Sequence, residues 1–175
     1  FPAPRPTSPA PLSLHDALPI LGSIAVNWEL IFSVTNIYAL VMWAILAFAP
    51  RSDMIMKGLF YGGVGLLAAT YAVIIVPLMT GMVDGGGGTP DFSTLEGVKT
   101  TLSSDGGATI GWIHYLAFDL FVGMWVARNA DQYGFARWLQ IPFLFFTLML
   151  GPFGLTLYLL LRFTRHNRVA DAVVP

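Results

Sequence analysis

A carboxylate in the middle of an uncharged stretch is the residue in this chain with the most chemistry to offer. Between Gly106 and Ala127 the only formal charge is Asp119. A carboxylate at the centre of a membrane-spanning helix costs about 2.5–3.5 kcal/mol by insertion scales, so it is normally kept for a purpose. Tyr115 stands four residues before Asp119, Trp112 seven before and Gly123 four after. At about 100° per residue these side chains form one stripe of a helix. His114 is five residues from Asp119, roughly 140° round the helix, and shares its face with Phe118, Phe121 and Trp125. A carboxylic acid with an imidazole or a phenol nearby is the equipment of general acid–base chemistry. Asp119 reads as the acid and His114 or Tyr115 as the base or relay. The angular separation argues against a direct His–Asp pair, while both groups can border one wide cavity.

An earlier apolar segment carries Glu29 and Asn36, seven residues apart and so on one face, with Ser33 and Thr35 beside them. Asn36 or Ser33 is expected to face Asp119 across packed helices. In a purely structural role such groups hydrogen-bond between helices, each contributing about 0.6 kcal/mol.

The elements that must hold these residues follow from composition. The chain has 175 residues, 55% hydrophobic and 11% charged, against about 25% charged for a soluble domain. With about 20 apolar residues needed per crossing, one small membrane bundle is expected. Four apolar segments are punctuated by charge. Leu30 to Pro50 is uncharged, opened by Trp28-Glu29 and closed by Arg51. Gly58 to Val83 is uncharged and interrupted by Pro77, which predicts a kink or an early end. Gly106 to Ala127 holds Asp119, and Trp138 to Leu161 carries Pro152 near its middle. The reading is an all-α integral membrane protein of four transmembrane helices, at about 28–50, 57–82, 108–128 and 138–162, within a membrane domain of residues 21–163. A polar tail, 164–175, follows.

One long connection, Asp84 to Asp105, separates the second and third helices. It opens on Gly85-Gly86-Gly87-Gly88, and then Phe92, Leu95, Val98 and Leu102 recur at helical spacing. That spacing predicts a short amphipathic helix on the membrane surface or tucked into the bundle mouth. The glycine run lacks the Gly-Lys-Ser/Thr ending of a P-loop. Gly58 and Gly62, with Gly63 and Gly65 adjacent, give the second helix a smooth patch for close helix approach. That face would serve self-association. The Gly151-Pro152-Phe153-Gly154 stretch breaks the fourth helix at membrane depth, as binding sites in membrane proteins often require.

Residues 1–20 hold six of the twelve prolines and read as a disordered arm. Within it, Ser13 to Ile20 spells the translation of a common sequencing-library adapter, and the chain opens on Phe1 with its first methionine at Met42. The arm, with His15, is expected to be an artefact on a fragment and is set aside from functional reasoning.

Several function classes are excluded. With no cysteine there is no disulfide, iron–sulfur cluster, thiolate zinc site or cysteine nucleophile. A net charge of −1 leaves no basic footprint for nucleic acid. His114, His166 and the doubtful His15 are too few for a histidine-rich di-iron site, bis-histidine haem would need a dimer to supply the second imidazole beside His114, and Lys57 lies at a helix end, away from any retinal-type Schiff base. Neither metal nor cofactor is expected. Orientation does not resolve under four crossings. Lys99, Arg162, Arg165 and Arg168 share one side, and Arg51, Lys57, Arg128 and Arg137 the other, four against four. The tight Arg162/Arg165/Arg168 cluster inclines the balance toward a cytoplasmic C-terminus.

The stretch Trp112-Ile113-His114-Tyr115-Leu116-Ala117-Phe118-Asp119-Leu120-Phe121-Val122-Gly123-Met124-Trp125, followed by Phe146-Thr147-Leu148-Met149-Leu150-Gly151-Pro152-Phe153-Gly154, resembles the abscisic-acid-deficient-four-like family. The opening pattern, Phe32-Ser33-Val34-Thr35-Asn36 through Trp43 to Pro50-Arg51, is similar as well, so the resemblance covers about residues 28–163. Plant members of that family are required for making neoxanthin from violaxanthin. The resemblance implies a carotenoid or isoprenoid connection, and it carries over to His114, Asp119, Asn36 and the Gly151-Pro152 break. This chain has Met124 where many relatives carry arginine, a departure that bears on any anion- or epoxide-handling role.

Two functions follow. One is a cofactor-independent isomerase acting on a carotenoid epoxide held between the helices, with Asp119, His114 and Tyr115 catalytic and with Asn36, Ser33, Trp112, Gly123, Trp125, Gly151 and Pro152 lining the ligand. The other is a non-catalytic pigment-binding or scaffold subunit. Either works in membrane lipid, in a bacterial plasma membrane or an internal photosynthetic membrane.

Overall fold

The computed structural model describes residues 26–88 and 90–173, with the backbone alone for 165–173. The described residues form six helices. Helix α1 spans Trp28–Phe48 and starts where the Asn27 side chain accepts a hydrogen bond from the Leu30 N–H at 2.9 Å. Pro50, which cannot continue a helix, follows its end. Helix α2 runs from Asp53 to Met79, capped by Ser52. Its middle turns, Leu59–Gly65, are π-helical. Widening the turn there leaves the Gly62 carbonyl to a new partner, and Tyr38 of α1 donates its hydroxyl to it at 2.6 Å. The helix ends two residues after Pro77, as the proline predicts.

Helix α3, Leu95–Ser103, is the expected short amphipathic helix, begun by the Thr94 side chain accepting from the Gly97 N–H. It lies on helix α4, Asp105–Gln132, and the seat is made by glycine: a Cβ on Gly107 would run into the backbone carbonyl of Thr101. Helix α4 is the axis of the molecule. Half of its apolar stretch is buried, and α1, α2, α3, α5 and α6 all pack against it. The core gathers around its face, with Leu116, Leu120, Met124 and Ala127 meeting Ala39, Trp43 and Leu46 of α1, and Leu59 and Leu67 of α2.

The fourth apolar segment differs from the expectation. In place of one helix over 138–162, helix α5 covers Arg137–Leu150 and helix α6 covers Pro152–Val173, and the two pack against each other as a hairpin. Gly151 makes the turn with φ +49°, a conformation open to glycine and strained for any side chain. Pro152 follows at the first position of α6, where its missing N–H costs nothing. Gly154 lets the two helices close, because a Cβ there would strike the backbone of Phe146 and Thr147. Among the described residues three helices, α1, α2 and α4, are long and apolar enough to cross a membrane, and α5 is a shorter apolar helix. The residues expected as a polar tail continue α6 as far as Val173. The Pro-rich arm lies outside the described residues.

Two clusters fix which ends meet. At one end Trp28 donates its indole N–H to the Asp84 carbonyl at 3.2 Å, and the Gly85 carbonyl accepts from the Gly106 N–H at 2.9 Å, so the glycine run is tied to the start of α4. At the other end Arg51, its side chain 8% exposed, pairs with Asp131 at 2.8 Å. It also donates to the Ala127 carbonyl and to Gln140. Gln140, buried in α5, returns a bond to Asp131 at 2.8 Å. Arg137 reaches the Ala49 carbonyl at the end of α1.

Candidate functional site

The tip of the α5–α6 hairpin lies against the middle of α4. A Cβ built on Gly151 would stand 2.8 Å from Oδ1 of Asp119, so backbone and carboxyl touch directly. Beside this contact is a cavity of about 230 Å³, lined by Trp43, Trp112, Tyr115, Leu116 and Asp119 on one side and by Leu148 to Pro152 of the hairpin tip on the other. Among the described residues no hydrogen-bond donor reaches the Asp119 carboxyl, which is half-buried. Trp43 is buried, and among the described residues its indole N–H finds no hydrogen-bond partner. The last turn of α5, Leu148 to Leu150, whose carbonyls a helix leaves without an onward partner, also borders the cavity. The cavity is therefore an apolar pocket with a few convergent polar groups.

Five of the residues singled out from the sequence come together at this cavity: Trp112, Tyr115, Asp119, Gly151 and Pro152. The others do not. Asn36 faces Trp112 instead of Asp119, accepting from its indole N–H at 3.1 Å. Ser33 is exposed on α1 and lines no part of the cavity. Gly123 packs under the Trp43 ring, where a Cβ would collide, so it shapes the wall without lining the space. Trp125 stacks edge-on with Tyr158 at 6.0 Å. Met124 is buried in the core, one residue off the stripe that carries Asp119.

His114 belongs to a different place. It lines a second cavity of about 260 Å³ beneath α3, with Tyr71, Phe92, Val98 and Leu102, and its ring stacks on Phe118 at 4.5 Å. Tyr115 is the wall shared by the two cavities. The expectation that His114 and Asp119 border one wide cavity is corrected: the 140° between them puts them on opposite flanks of α4. Gly58 and Gly62 lie on the exposed face of α2, whereas the close helix contact is made by Gly63, where a Cβ would meet Leu120 at 3.0 Å. Among the described residues no three His, Asp or Glu side chains gather as metal ligands would.

The sequence pattern of the ABA DEFICIENT 4-like family matches residues 30–158, most of the chain and all of this site. The chain belongs to the ABA DEFICIENT 4-like family. Comparison with curated proteins and with solved structures returns no match. Every residue lining the Asp119 cavity, from Trp43 to Pro152, lies inside the ABA DEFICIENT 4-like match, while Arg162 lies beyond it.

Within the ABA DEFICIENT 4-like match, sequence reasoning missed Trp43 at the cavity and, at the base of the hairpin, Gln140. Trp43 sits seven residues after Asn36 and so continues the same stripe of α1, a spacing that points to it. Gln140, the buried polar residue that anchors α5 to Arg51 and Asp131, stands out as an amide within an apolar segment.

Proposed function

We propose that the cavity beside Asp119 holds the oxygenated end group of a carotenoid or related isoprenoid lipid, and that Asp119 is the acid acting on that group. The observation that carries this reading is the unpartnered Asp119 carboxyl in an apolar cavity closed by a broken helix at mid-length of α4. Family membership supports a neoxanthin-related role. At about 230 Å³ the cavity is smaller than the about 300–1,000 Å³ that encloses a whole small ligand. It suits one end of a long molecule whose chain lies along the apolar outer surface, where Tyr115, Phe118 and Phe153 are exposed.

Turning an epoxide into an allenic alcohol is an isomerisation without net oxidation. The epoxide C–O bond opens as its oxygen takes a proton, and a neighbouring carbon gives one up. One carboxyl can serve both steps, giving a proton to the oxygen and accepting the one released at carbon. The Tyr115 hydroxyl is the second ionisable group on the same cavity. His114 takes no part in this reading. The alternative, a non-catalytic pigment-binding or scaffold subunit, needs the same cavity without the proton transfers. In either case the protein works in a bacterial plasma membrane or an internal photosynthetic membrane, and the exposed Gly58/Gly62 face would serve self-association.

The test is to express residues 21–175 in a bacterium that accumulates violaxanthin, then to analyse the membrane pigments and those that co-purify in mild detergent. The enzyme reading expects an isomerised xanthophyll that Asp119→Asn abolishes while the protein still folds. Unchanged pigments with a stoichiometric carotenoid on the protein support the binding subunit. Neither product nor bound pigment overturns both.

A further inference from the structure

We propose that α5 and α6 form a re-entrant hairpin that enters and leaves the membrane on one face, and that this face is the cytoplasmic one. The proposal rests on the path of the backbone and the placement of charge, and is independent of any ligand.

The path is fixed by three levels along α4. Gly151, at the hairpin tip, is level with Asp119, near the midpoint of the helix Asp105–Gln132. Further along α6, Tyr158 donates its hydroxyl to Asn129 at 2.7 Å. One turn beyond that, Arg162 donates to the Tyr133 hydroxyl at 2.9 Å and its guanidinium lies over the Tyr133 ring. Helix α6 therefore runs parallel to α4 and returns to the end from which α5 set out. Length agrees. Helix α5 has 14 residues, about 21 Å at 1.5 Å per residue, too short for a core of about 30 Å. The uncharged run Pro152–Leu161 ends at Arg162, after about 15 Å of helix, which is half that core. Irregular backbone at membrane depth is tolerated where protein buries it or a cavity adjoins it. Gly151 is buried and lines the Asp119 cavity.

This path decides the orientation that four crossings leave tied. Arg162 joins Arg51, Lys57, Arg128 and Arg137 at one end of the bundle, and α6 runs on through Arg165 and Arg168. Lys99 is the cation of the opposite end, where Glu29, Asp84, Asp91, Glu96 and Asp105 also lie. Arg5 is outside the described residues. Loops rich in lysine and arginine stay in the cytoplasm, so the α1–α2 connection and the end of α6 are cytoplasmic, and α3 with the glycine run lies on the far side.

Because the chain has no cysteine, single-cysteine labelling gives a direct test. Leu95→Cys, Met54→Cys and Thr164→Cys, all at exposed positions, are expressed in a bacterium and treated with a membrane-impermeant maleimide. Leu95→Cys should label in intact cells, and the other two only in inverted vesicles. Green fluorescent protein and alkaline phosphatase fused after residue 175 give an independent reading, fluorescent and inactive respectively if the proposal holds. Labelling of Thr164→Cys together with Leu95→Cys in intact cells, with Met54→Cys protected and the phosphatase fusion active, would mean that the α5–α6 segment crosses. Labelling of Met54→Cys and Thr164→Cys in intact cells, with Leu95→Cys protected, would keep the hairpin and overturn the orientation.

Discussion

The backbone of Gly151 and the carboxyl of Asp119 leave no room between them: a Cβ on Gly151 would stand 2.8 Å from Oδ1 and 3.3 Å from Oδ2. The turn of the α5–α6 hairpin and the one carboxylate at the middle of α4 are thus a single structural unit. Position 151 needs glycine twice, for its φ of +49° and for this contact.

Gly151→Ala should therefore lower stability by at least about 1–2 kcal/mol from backbone strain alone, with a further loss from the displaced carboxyl. Asp119→Ala removes the contact and leaves the strain. In thermal unfolding in detergent, the double variant should lose less than the two single losses added together. Strict additivity would show that residues 119 and 151 do not press on one another.

The stripe of Trp112, Tyr115 and Asp119 was legible in the sequence because helical spacing alone brings those side chains to one side of α4. The spans α1, α2 and α4 were legible for a related reason, since uncharged runs bounded by charge and proline leave little choice. The hairpin was not. A proline inside an apolar run reads as a kink, and what turns the chain fully back is the φ of Gly151 together with the closeness allowed at Gly154. Neither is visible before the two helices are packed. Asn36 pairing with Trp112 in place of Asp119 likewise depends on how far α1 slides along α4, which periodicity does not set.

Arg51 holds the base of the hairpin, through Asp131 and Gln140, to the end of α4. Removing one partner of a buried ion pair costs about 3–5 kcal/mol, but the Asp131 side chain is 39% exposed and water screens what it loses. Arg51→Met should then cost about 1–3 kcal/mol, read as a lower melting temperature, with earlier proteolysis between α4 and α5. An unchanged melting temperature would show that apolar packing alone secures the hairpin.

Asp91 organises the approach to α3. Its Oδ1 accepts from the Ser93 hydroxyl at 2.6 Å and the Ser93 N–H at 2.8 Å, and these bonds hold its carboxyl below the ordinary carboxylate range. A lowered value in the folded chain means that the ionised form is favoured there. Its contribution is complete above the ordinary range and is lost as pH falls through the lowered value. Amide exchange in α3, relative to the intrinsic rate at each pH, should stay slow at neutral pH and quicken only under strong acid. Asp91→Asn should quicken it at neutral pH and flatten that acid dependence, while exchange in the middle of α4 stays unchanged. An acid profile identical in both proteins would remove Asp91 from the account.

His114 and Asp119 separate the chemistry from its surroundings, because they open on different cavities with Tyr115 between them. If Asp119 alone gives and recovers the proton, His114→Phe should leave isomerised xanthophyll within about threefold of the parent. The phenyl ring keeps the stacking on Phe118 and Tyr71. Tyr115→Phe removes a hydroxyl bordering the Asp119 cavity and should cost more, on the order of 10²-fold for a lost proton relay. Pigment analysis of the two variants in one violaxanthin-accumulating host compares them directly. A His114→Phe loss equal to that of Asp119→Asn, with the folded protein still recovered, would place the imidazole back in the reaction. It would then require α4 to present both flanks to one substrate, a motion that an amide-exchange change around α3 on carotenoid addition would reveal.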